Sequence, residues 1–127
     1  MPEKKILVVD DEEELLELIE KSLSAEGYDV ATAITAEDAM NKARSLAPDL
    51  ILIDIVLPDM EGPEAIRILS EDPRTDKIPA IFLSGIITRE SKDEAATEVR
   101  VGGRLYKALS KPFSTAELMV EVRKAIG

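Results

Sequence analysis

ILVVDD, at residues 6–11, is a run of four apolar residues that stops on two carboxylates. Two later runs have the same form, since Leu50–Ile53 stops on Asp54 and Ala80–Leu83 stops on Ser84. Short continuous runs of Ile, Leu and Val are typical of strands buried on both faces, as in a parallel sheet covered by helices. Ligands of such sheets bind beyond the carboxyl ends of the strands. The three stops therefore predict a sheet edge with three carboxylates and a hydroxyl, the outline of a site for a cation and a phosphoryl group.

Composition limits the class of protein. A length of 127 residues predicts a single domain over residues 1–127, and 45% hydrophobic residues are enough for a packed core. A net charge of −10 argues against direct contact with nucleic acid and favours a cation or a basic partner surface. The chain has no cysteine and no histidine, which excludes disulfides, thiolate metal sites and a phosphohistidine on this chain. Without a signal peptide or a long apolar stretch, we expect a cytoplasmic protein with no membrane partner.

Helix signals alternate with the strand signals. Apolar residues recur at helical spacing over Leu15–Leu23, Thr35 is placed to cap a second helix, and a third helix is predicted from about Glu64 to Ser70. Ser114 and Glu117 have the spacing of a capping box before the last helix. We therefore expect an α/β fold with a doubly wound five-stranded parallel sheet in the flavodoxin-like order 2-1-3-4-5 and helices on both faces.

The stretch between Ser84 and Lys111 breaks this alternation. A shortened fourth helix is predicted over Glu90–Thr97, and two strand-like runs then flank a Gly-Gly pair at positions 102 and 103. Two such runs around Gly-Gly favour a β-hairpin, whose second arm becomes or feeds the fifth strand. The alternative is that Gly-Gly ends the helix and a plain loop follows.

The polar stops have the chemistry of a phosphoryl site. Mg²⁺ prefers oxygen ligands, so a cation is expected where Asp10, Asp11 and Asp54 are crowded together. A carboxylate such as Asp54 attacks phosphorus as a nucleophile, while Ser84 can donate a hydrogen bond to a phosphoryl oxygen and Lys111 can neutralise another.

Each of these residues also has a simpler interpretation. The acidic run that begins at Asp10 suits a helix start, Asp54 can cap a loop, Ser84 can be an ordinary strand-end serine, and Lys111 can be a solvated surface lysine. Taken singly, the simpler interpretation is the better one in most cases. Taken together at one sheet edge, the residues favour the phosphoryl site.

The chain resembles the receiver domain of two-component response regulators over essentially its whole length. Four segments in the same order and spacing carry the resemblance: ILVVDDE (6–12), LILIDIVLPDMEG (50–62), IFLSG (81–85) and LSKPF (109–113).

The resemblance implies a role for each site residue. Asp10 and Asp11 hold Mg²⁺, and Asp54 is both a metal ligand and the phosphoacceptor. The backbone carbonyl of Val56 is a further metal ligand, Ser84 is the switch hydroxyl, and Lys111 pairs with the phosphoryl group. The Lys111–Pro112 bond is expected to be cis, as is common in the family.

The resemblance also implies partners. A sensor histidine kinase or a phosphotransfer protein is expected to supply the phosphoryl group, and a downstream effector of unknown identity to read the switch. The family precedent allows a homodimer on activation. The sequence leaves open whether the chain acts alone or is a fragment of a longer regulator.

Two departures from the family pattern concern the output side. Receivers usually carry Tyr or Phe three residues before the lysine, and this position is Ala108. Tyr106 lies on the same strand face, so it either replaces the switch aromatic or only packs near the hairpin. The stretch from Ser84 to Lys111 is also several residues longer than usual, and in the family it forms the surface that dimerises or contacts targets.

Two other classes of function compete with the phosphorylated switch. A phosphatase of the aspartyl-phosphate type needs a second carboxylate two residues after the nucleophile, and this position is Val56. A receiver-like interaction module that signals without phosphate would not need the acidic pair, Asp54 and Lys111. The sequence therefore favours a signalling domain that accepts phosphate, and not an enzyme in the usual sense.

Overall fold

The described residues form a six-stranded sheet with helices on both faces. The structure, a computed structural model, describes residues 3–85 and 96–127. The strands are β1 (Lys5–Val9), β2 (Asp29–Ala33), β3 (Leu50–Asp54), β4 (Ala80–Ser84), β5 (Ala96–Val101) and β6 (Arg104–Ser110). The helices are α1 (Glu13–Ala25), α2 (Ala36–Leu46), α3 (Gly62–Ser70) and α4 (Thr115–Ile126).

The order of the strands is β2-β1-β3-β4-β6-β5. Each pairing from β2 to β6 is parallel, whereas β5 runs antiparallel to β6 at the edge. The predicted parallel α/β sheet is confirmed, but the count of five strands is wrong. The first arm of the predicted hairpin joins the sheet as a sixth strand, and the second arm is the fifth parallel strand.

The hairpin prediction is confirmed, and part of the helix prediction before it is wrong. Gly102 and Gly103 have φ of 56° and 85°, as a two-residue turn of type I′ requires. Ala96–Thr97, assigned to the end of the shortened helix, lies in β5 opposite residues of β6. Pairing with β6 overrides the helix propensity of Ala96, whereas Thr97 has little helix propensity to override. The rest of the predicted helix, residues 90–95, lies outside the described residues.

The core lies in two layers, one on each face of the sheet. Alternate residues of β1 show the division, since Leu7 and Val9 pack with α2 and α3, whereas Ile6 and Val8 pack with α1 and α4. Strands β3, β4 and β6 divide their side chains in the same way. Burial on both faces fixes the register, because a slip by one residue would exchange the two layers.

Local signals set the helix boundaries. The Thr35 side chain accepts a hydrogen bond from the Asp38 N–H at the start of α2, and Ser114 and Glu117 form the predicted capping box of α4. Helix α3 begins at Gly62, earlier than the predicted start at Glu64, with Pro63 in its first turn. No helix in the described parts of the chain is both long and apolar enough to cross a lipid bilayer.

Candidate functional site

Four neighbouring strands end at one edge of the sheet and bring the predicted site residues together. Strands β1, β3, β4 and β6 are adjacent and parallel, so their carboxyl ends meet. Asp10 follows β1, Asp54 and Ser84 are the last residues of β3 and β4, and Lys111 follows β6. The chain leaves β1 for β2 on one side and returns as β3 on the other, which is the switch point where ligands of such sheets bind.

Lys111 is the centre of the site. Its Nζ lies 2.8 Å from Asp10 Oδ2, 2.9 Å from Glu12 Oε1 and 2.9 Å from Asp54 Oδ2. Asp10 is fully buried and the Lys111 side chain is only 16% exposed, so this pair interacts in surroundings with little water. Three carboxylates therefore share one cation, and a net negative charge remains.

Each of the two buried carboxylates is oriented by a local hydrogen bond. The N–H of Glu12 donates to Asp10 Oδ1 at 2.9 Å, and the N–H of Val56 donates to Asp54 Oδ1 at 3.1 Å. In both cases an aspartate accepts from the backbone two residues ahead, a turn that Asp forms readily at the end of a strand. The second oxygen of each carboxylate, Oδ2, points at Lys111.

Burial and hydrogen bonding act in opposite directions on the two central groups. Burial alone would favour neutral Lys111, but its bonds to Asp10, Glu12 and Asp54 outweigh burial and raise the pKa of Lys111 above its ordinary value. Burial raises the pKa of Asp10, and the bonds from Lys111 and from the Glu12 N–H offset part of that increase. The Lys111 ammonium therefore favours the ionised form of Asp10 against the effect of burial.

The structure groups some of the predicted metal ligands and leaves one apart. Carboxylate oxygens of Asp10, Glu12 and Asp54 lie within 4.8 Å of one another, a spacing that could hold a metal ion. Asp11 is exposed and is not in this group. The sequence analysis missed Glu12, although the turn that Asp10 forms with the Glu12 N–H is what brings this residue to Lys111.

Ser84 lies beside this cluster at the end of β4. It is fully buried, and its carbonyl accepts a hydrogen bond of 2.7 Å from the Lys111 N–H. The backbone of the last strand is thereby tied to the end of β4 at the point where the lysine side chain begins. The Lys111–Pro112 bond is cis, as predicted.

The loop after Asp54 is closed by a glycine. The Gly62 N–H donates to the Ile55 carbonyl at 2.7 Å, which brings the start of α3 against the end of β3. A Cβ atom on Gly62 would fall far inside van der Waals contact of the Asp54 carbonyl oxygen. Only glycine fits here without moving the residue that carries the Asp54 carboxylate.

Asp59 joins the same loop to α2. Its two carboxylate oxygens accept hydrogen bonds from the Ala36 N–H at 2.8 Å and from the Glu37 N–H at 3.0 Å, so a residue distant in sequence caps the helix. These bonds hold the pKa of Asp59 below its ordinary value. The loop is thus held both by Gly62 and by Asp59.

We expect Asp59→Asn to lower the free energy of unfolding by about 0.5–1 kcal/mol at neutral pH, because an amide cannot accept both bonds. Since the pKa of Asp59 is lower in the folded state, its contribution is present above its unfolded pKa and is lost as pH falls through the folded pKa. Urea denaturation of both proteins at neutral and acidic pH measures the difference, which should shrink in acid. A difference that stays constant with pH would contradict the ionised cap.

Tyr106 is part of the core layer next to α3. Its ring meets Phe82 edge-on, with centroids 5.8 Å apart and planes at 78°, and Ala108 is fully buried in the same layer. This packing agrees with the interpretation that Tyr106 only packs near the hairpin. A role of Tyr106 as the switch aromatic stays a prediction.

Comparison with known proteins places this geometry in a family. The sequence model of the response regulator receiver domain matches residues 6–123, which is nearly the whole chain. The chain belongs to this family. The receiver is 37% identical over 119 residues to the phosphate regulon transcriptional regulatory protein PhoB of Rhizobium meliloti. It is 38% identical over 123 residues to the alkaline phosphatase synthesis transcriptional regulatory protein PhoP of Bacillus subtilis.

The coverage of these relatives is unequal. The matches include 94% of the receiver but 50% of PhoB and 47% of PhoP, so the chain spans about half the length of the curated relatives it matches. Among solved structures, chemotaxis protein CheY4 of Vibrio cholerae has a TM-score of 0.83 at 26% identity, over 98% of this chain and all of that one. A receiver domain protein from Methanospirillum hungatei has a TM-score of 0.77 at 26% identity, covering 97% and 93% of the two chains.

The family membership decides the class of function. The chain is a receiver of two-component signalling controlled by phosphorylation, and this assignment holds over the phosphatase and the phosphate-independent module. Receivers are signalling domains and not enzymes in the usual sense.

Proposed function

We propose that Asp54 is the phosphoacceptor of this receiver and that phosphorylation changes the pairing of Lys111. The observation that carries the proposal is the position of Asp54, whose side chain is 10% exposed and held between the Val56 N–H and the Lys111 ammonium. The first contact comes from the backbone just after β3, and the second comes from the side chain that follows β6. The carboxylate is therefore oriented before any donor arrives, which is the main requirement for phosphoryl transfer by positioning and electrostatics.

The residues present fit Mg²⁺, because the site offers carboxylate oxygens, the ligands that hard cations prefer. Asp10 and Asp54 would hold the ion, with Asp11 and the Val56 carbonyl as the further ligands expected from the sequence. Glu12 is an additional carboxylate at the same place. When bound, Mg²⁺ would neutralise charge on the phosphoryl oxygens.

The transfer step uses an oxygen of Asp54. The carboxylate attacks phosphorus, the bond from phosphorus to the donor breaks, and the donor leaves with the electron pair, giving an aspartyl phosphate. Lys111 is then placed to pair with a phosphoryl oxygen, and Ser84 to donate a hydrogen bond to another. Hydrolysis would return free Asp54, so the protein catalyses only its own phosphorylation and slow dephosphorylation.

The new charge changes the balance around Lys111. A phosphoryl group adds negative charge at the place where Asp10, Glu12 and Asp54 already share one cation. Movement of Lys111 toward the phosphoryl group would weaken its bonds to Asp10 and Glu12. The backbone bond from Lys111 to Ser84 connects this change to β4 and β6. Strand β6 belongs to the stretch 85–110, over which the sequence predicts the output surface.

Incubation of the receiver with Mg²⁺ and a small phosphodonor tests the function directly. We expect the intact mass to increase by one phosphoryl group, and we expect no increase when a chelator removes the metal. The donor without Mg²⁺ and Mg²⁺ without the donor are the controls. Absence of an adduct in the complete mixture would contradict the proposal.

Specific partners belong to the same proposal. A histidine kinase or a phosphotransfer protein would supply the phosphoryl group from a phosphohistidine, since this chain has no histidine. PhoB and PhoP are transcriptional regulatory proteins, and by analogy an output step on transcription would require a partner or a further segment. The net charge of −10 is unfavourable for direct DNA contact by the receiver. The extent of the domain, residues 1–127, and a cytoplasmic location stay predictions.

Lys111→Met should bind Mg²⁺ more tightly than the wild type, by at least about tenfold. The ammonium occupies the space between Asp10, Glu12 and Asp54, and its removal leaves their charges uncompensated. Calorimetric titration with Mg²⁺ measures the change, and Lys111→Arg, which keeps the charge, is the control. Equal or weaker binding by Lys111→Met would show that the metal does not bind among these carboxylates.

A further inference from the structure

Strand β5 is an edge strand with a defined set of outward backbone groups. It pairs with β6, and within residues 3–85 and 96–127 no strand lies on its other side. In a two-residue hairpin the residues that flank the turn, here Val101 and Arg104, form a hydrogen-bonded pair, and the pairs then alternate along the ladder. Val101 and Val99 therefore direct their backbone groups at β6, and Arg100 and Glu98 direct theirs away from the sheet.

The side chains of this edge divide by charge and by face. Val101 is buried and Val99 is half-buried, and both pack on the core layer of α2 and α3. Glu98 and Arg100 are exposed on the opposite face and carry opposite charges two residues apart. Across the hairpin, Glu98 lies opposite Lys107, whereas Arg100 lies opposite the apolar Leu105, so the ladder places no acidic residue directly opposite Arg100.

This pattern is complementary to itself. When two copies of β5 align antiparallel with Val99 opposite Val99, Glu98 of each lies opposite Arg100 of the other. Both residues direct their backbone groups outward, so this alignment also places the donors and acceptors of the two strands in hydrogen-bonded pairs. Alignment on Glu98 or on Arg100 instead would oppose like charges, which is destabilising.

We propose that the receiver forms a homodimer by antiparallel pairing of β5 with β5, centred on Val99, which joins the two sheets into one. The alignment gives two cross-strand pairs of Glu98 with Arg100 and one apolar contact between the Val99 side chains. The pairing requires no phosphoryl group on Asp54, so it stands or falls separately from the proposed phosphorylation. A simpler role for the two charges is to protect an exposed edge from association, and this role predicts a monomer.

Sedimentation velocity of the full chain, from micromolar to millimolar concentration, distinguishes the two roles. We expect a reversible dimer for the wild type. Glu98→Arg should raise its Kd about tenfold, because two attractive pairs become repulsive. The charge swap Glu98→Arg with Arg100→Glu should restore the Kd to within about threefold of the wild type.

Glu20→Arg is the matched control, since Glu20 is exposed on α1 and the substitution changes the net charge equally. The wild-type charge is −10, so either single reversal reduces the general repulsion between copies. A weaker dimer in Glu98→Arg alone therefore reports a local effect at β5. Glu98→Arg and the charge swap both place an arginine at position 98 opposite Lys107 within the hairpin, so the difference between these two variants isolates the pairs between copies. A monomer at all concentrations would overturn the proposal. The proposal would also be overturned if the charge-swap variant had as high a dimer Kd as Glu98→Arg, or if Glu20→Arg raised the dimer Kd equally. Circular dichroism of each variant checks that the fold is retained.

Discussion

Asp54→Ala will carry no phosphate after incubation with Mg²⁺ and a phosphodonor, under conditions in which the wild type gains one phosphoryl group. Three carboxylates surround Lys111, but they differ in what they can do. Asp10 has no exposed surface, and the Glu12 side chain is 63% exposed on the rim of the site. Asp54 is oriented by the Val56 N–H with its second oxygen at the ammonium. Asp54→Ala removes the nucleophile that we propose, so we expect the loss of the adduct to be complete.

Asp29→Ala is the matched control for this prediction. Asp29 is an exposed aspartate at the amino end of β2, the opposite edge of the sheet from Lys111. We expect it to be phosphorylated as the wild type is. Intact mass measures both variants, and circular dichroism shows whether each is folded. An undiminished adduct on Asp54→Ala would move the phosphoacceptor to another residue.

Gly62→Ala will lower the free energy of unfolding by about 2–3 kcal/mol, because the added methyl group overlaps a backbone atom in a packed region. The atom is the carbonyl oxygen of Asp54, and backbone atoms of the same segment lie just behind it, Asp54 C at 3.1 Å and Ile55 Cα at 3.3 Å. The overlap is relieved only if the loop moves away from β3, and this movement stretches the hydrogen bond between the Gly62 N–H and the Ile55 carbonyl. We therefore also expect slower phosphorylation, since the same movement displaces Asp54.

Gly85→Ala provides the comparison for the same chemical change. Within residues 3–85 and 96–127, a Cβ atom on Gly85 would meet no atom closer than 4 Å, and the residue is exposed after β4. We expect a change within about 0.5 kcal/mol. Urea denaturation of the two variants and the wild type measures the difference. Similar losses in both would show that the contact with Asp54 is not what excludes a side chain at Gly62.

The parallel core could be predicted because its signal is local. Four apolar residues in a row before Asp10, and again before Asp54, are compatible with a strand buried on both faces, and the structure buries them in two layers. The hairpin was predictable from Gly102 and Gly103, whose positive φ angles few other residues adopt. Ala96–Thr97 was assigned to a helix although Thr favours strands, because pairing between strands is not visible in a short window of sequence.

The site was predictable to the extent that it consists of strand ends. Asp10, Asp54 and Lys111 meet because each lies where a parallel strand stops. Glu12 lies beyond the end of the strand and contacts Lys111 only because of a turn. It belongs to a run of acidic residues, and the sequence does not indicate which member of that run contacts the lysine. Asp59 caps a helix from 23 residues away, a contact that depends on how two loops lie in space.

The position of Lys111 in the chain has a consequence for synthesis. Its partners Asp10 and Asp54 are made early, 101 and 57 residues before it, and the lysine itself follows the last strand. While the chain emerges from the ribosome, the acidic residues are present without their cation, and β4 is without its neighbour β6. The site that we propose for phosphorylation is therefore complete only after Lys111 has been translated and β6 has joined the sheet. A kinase that requires this site would not phosphorylate copies that lack Lys111. Phosphorylation would therefore occur only on copies that are translated at least as far as Lys111.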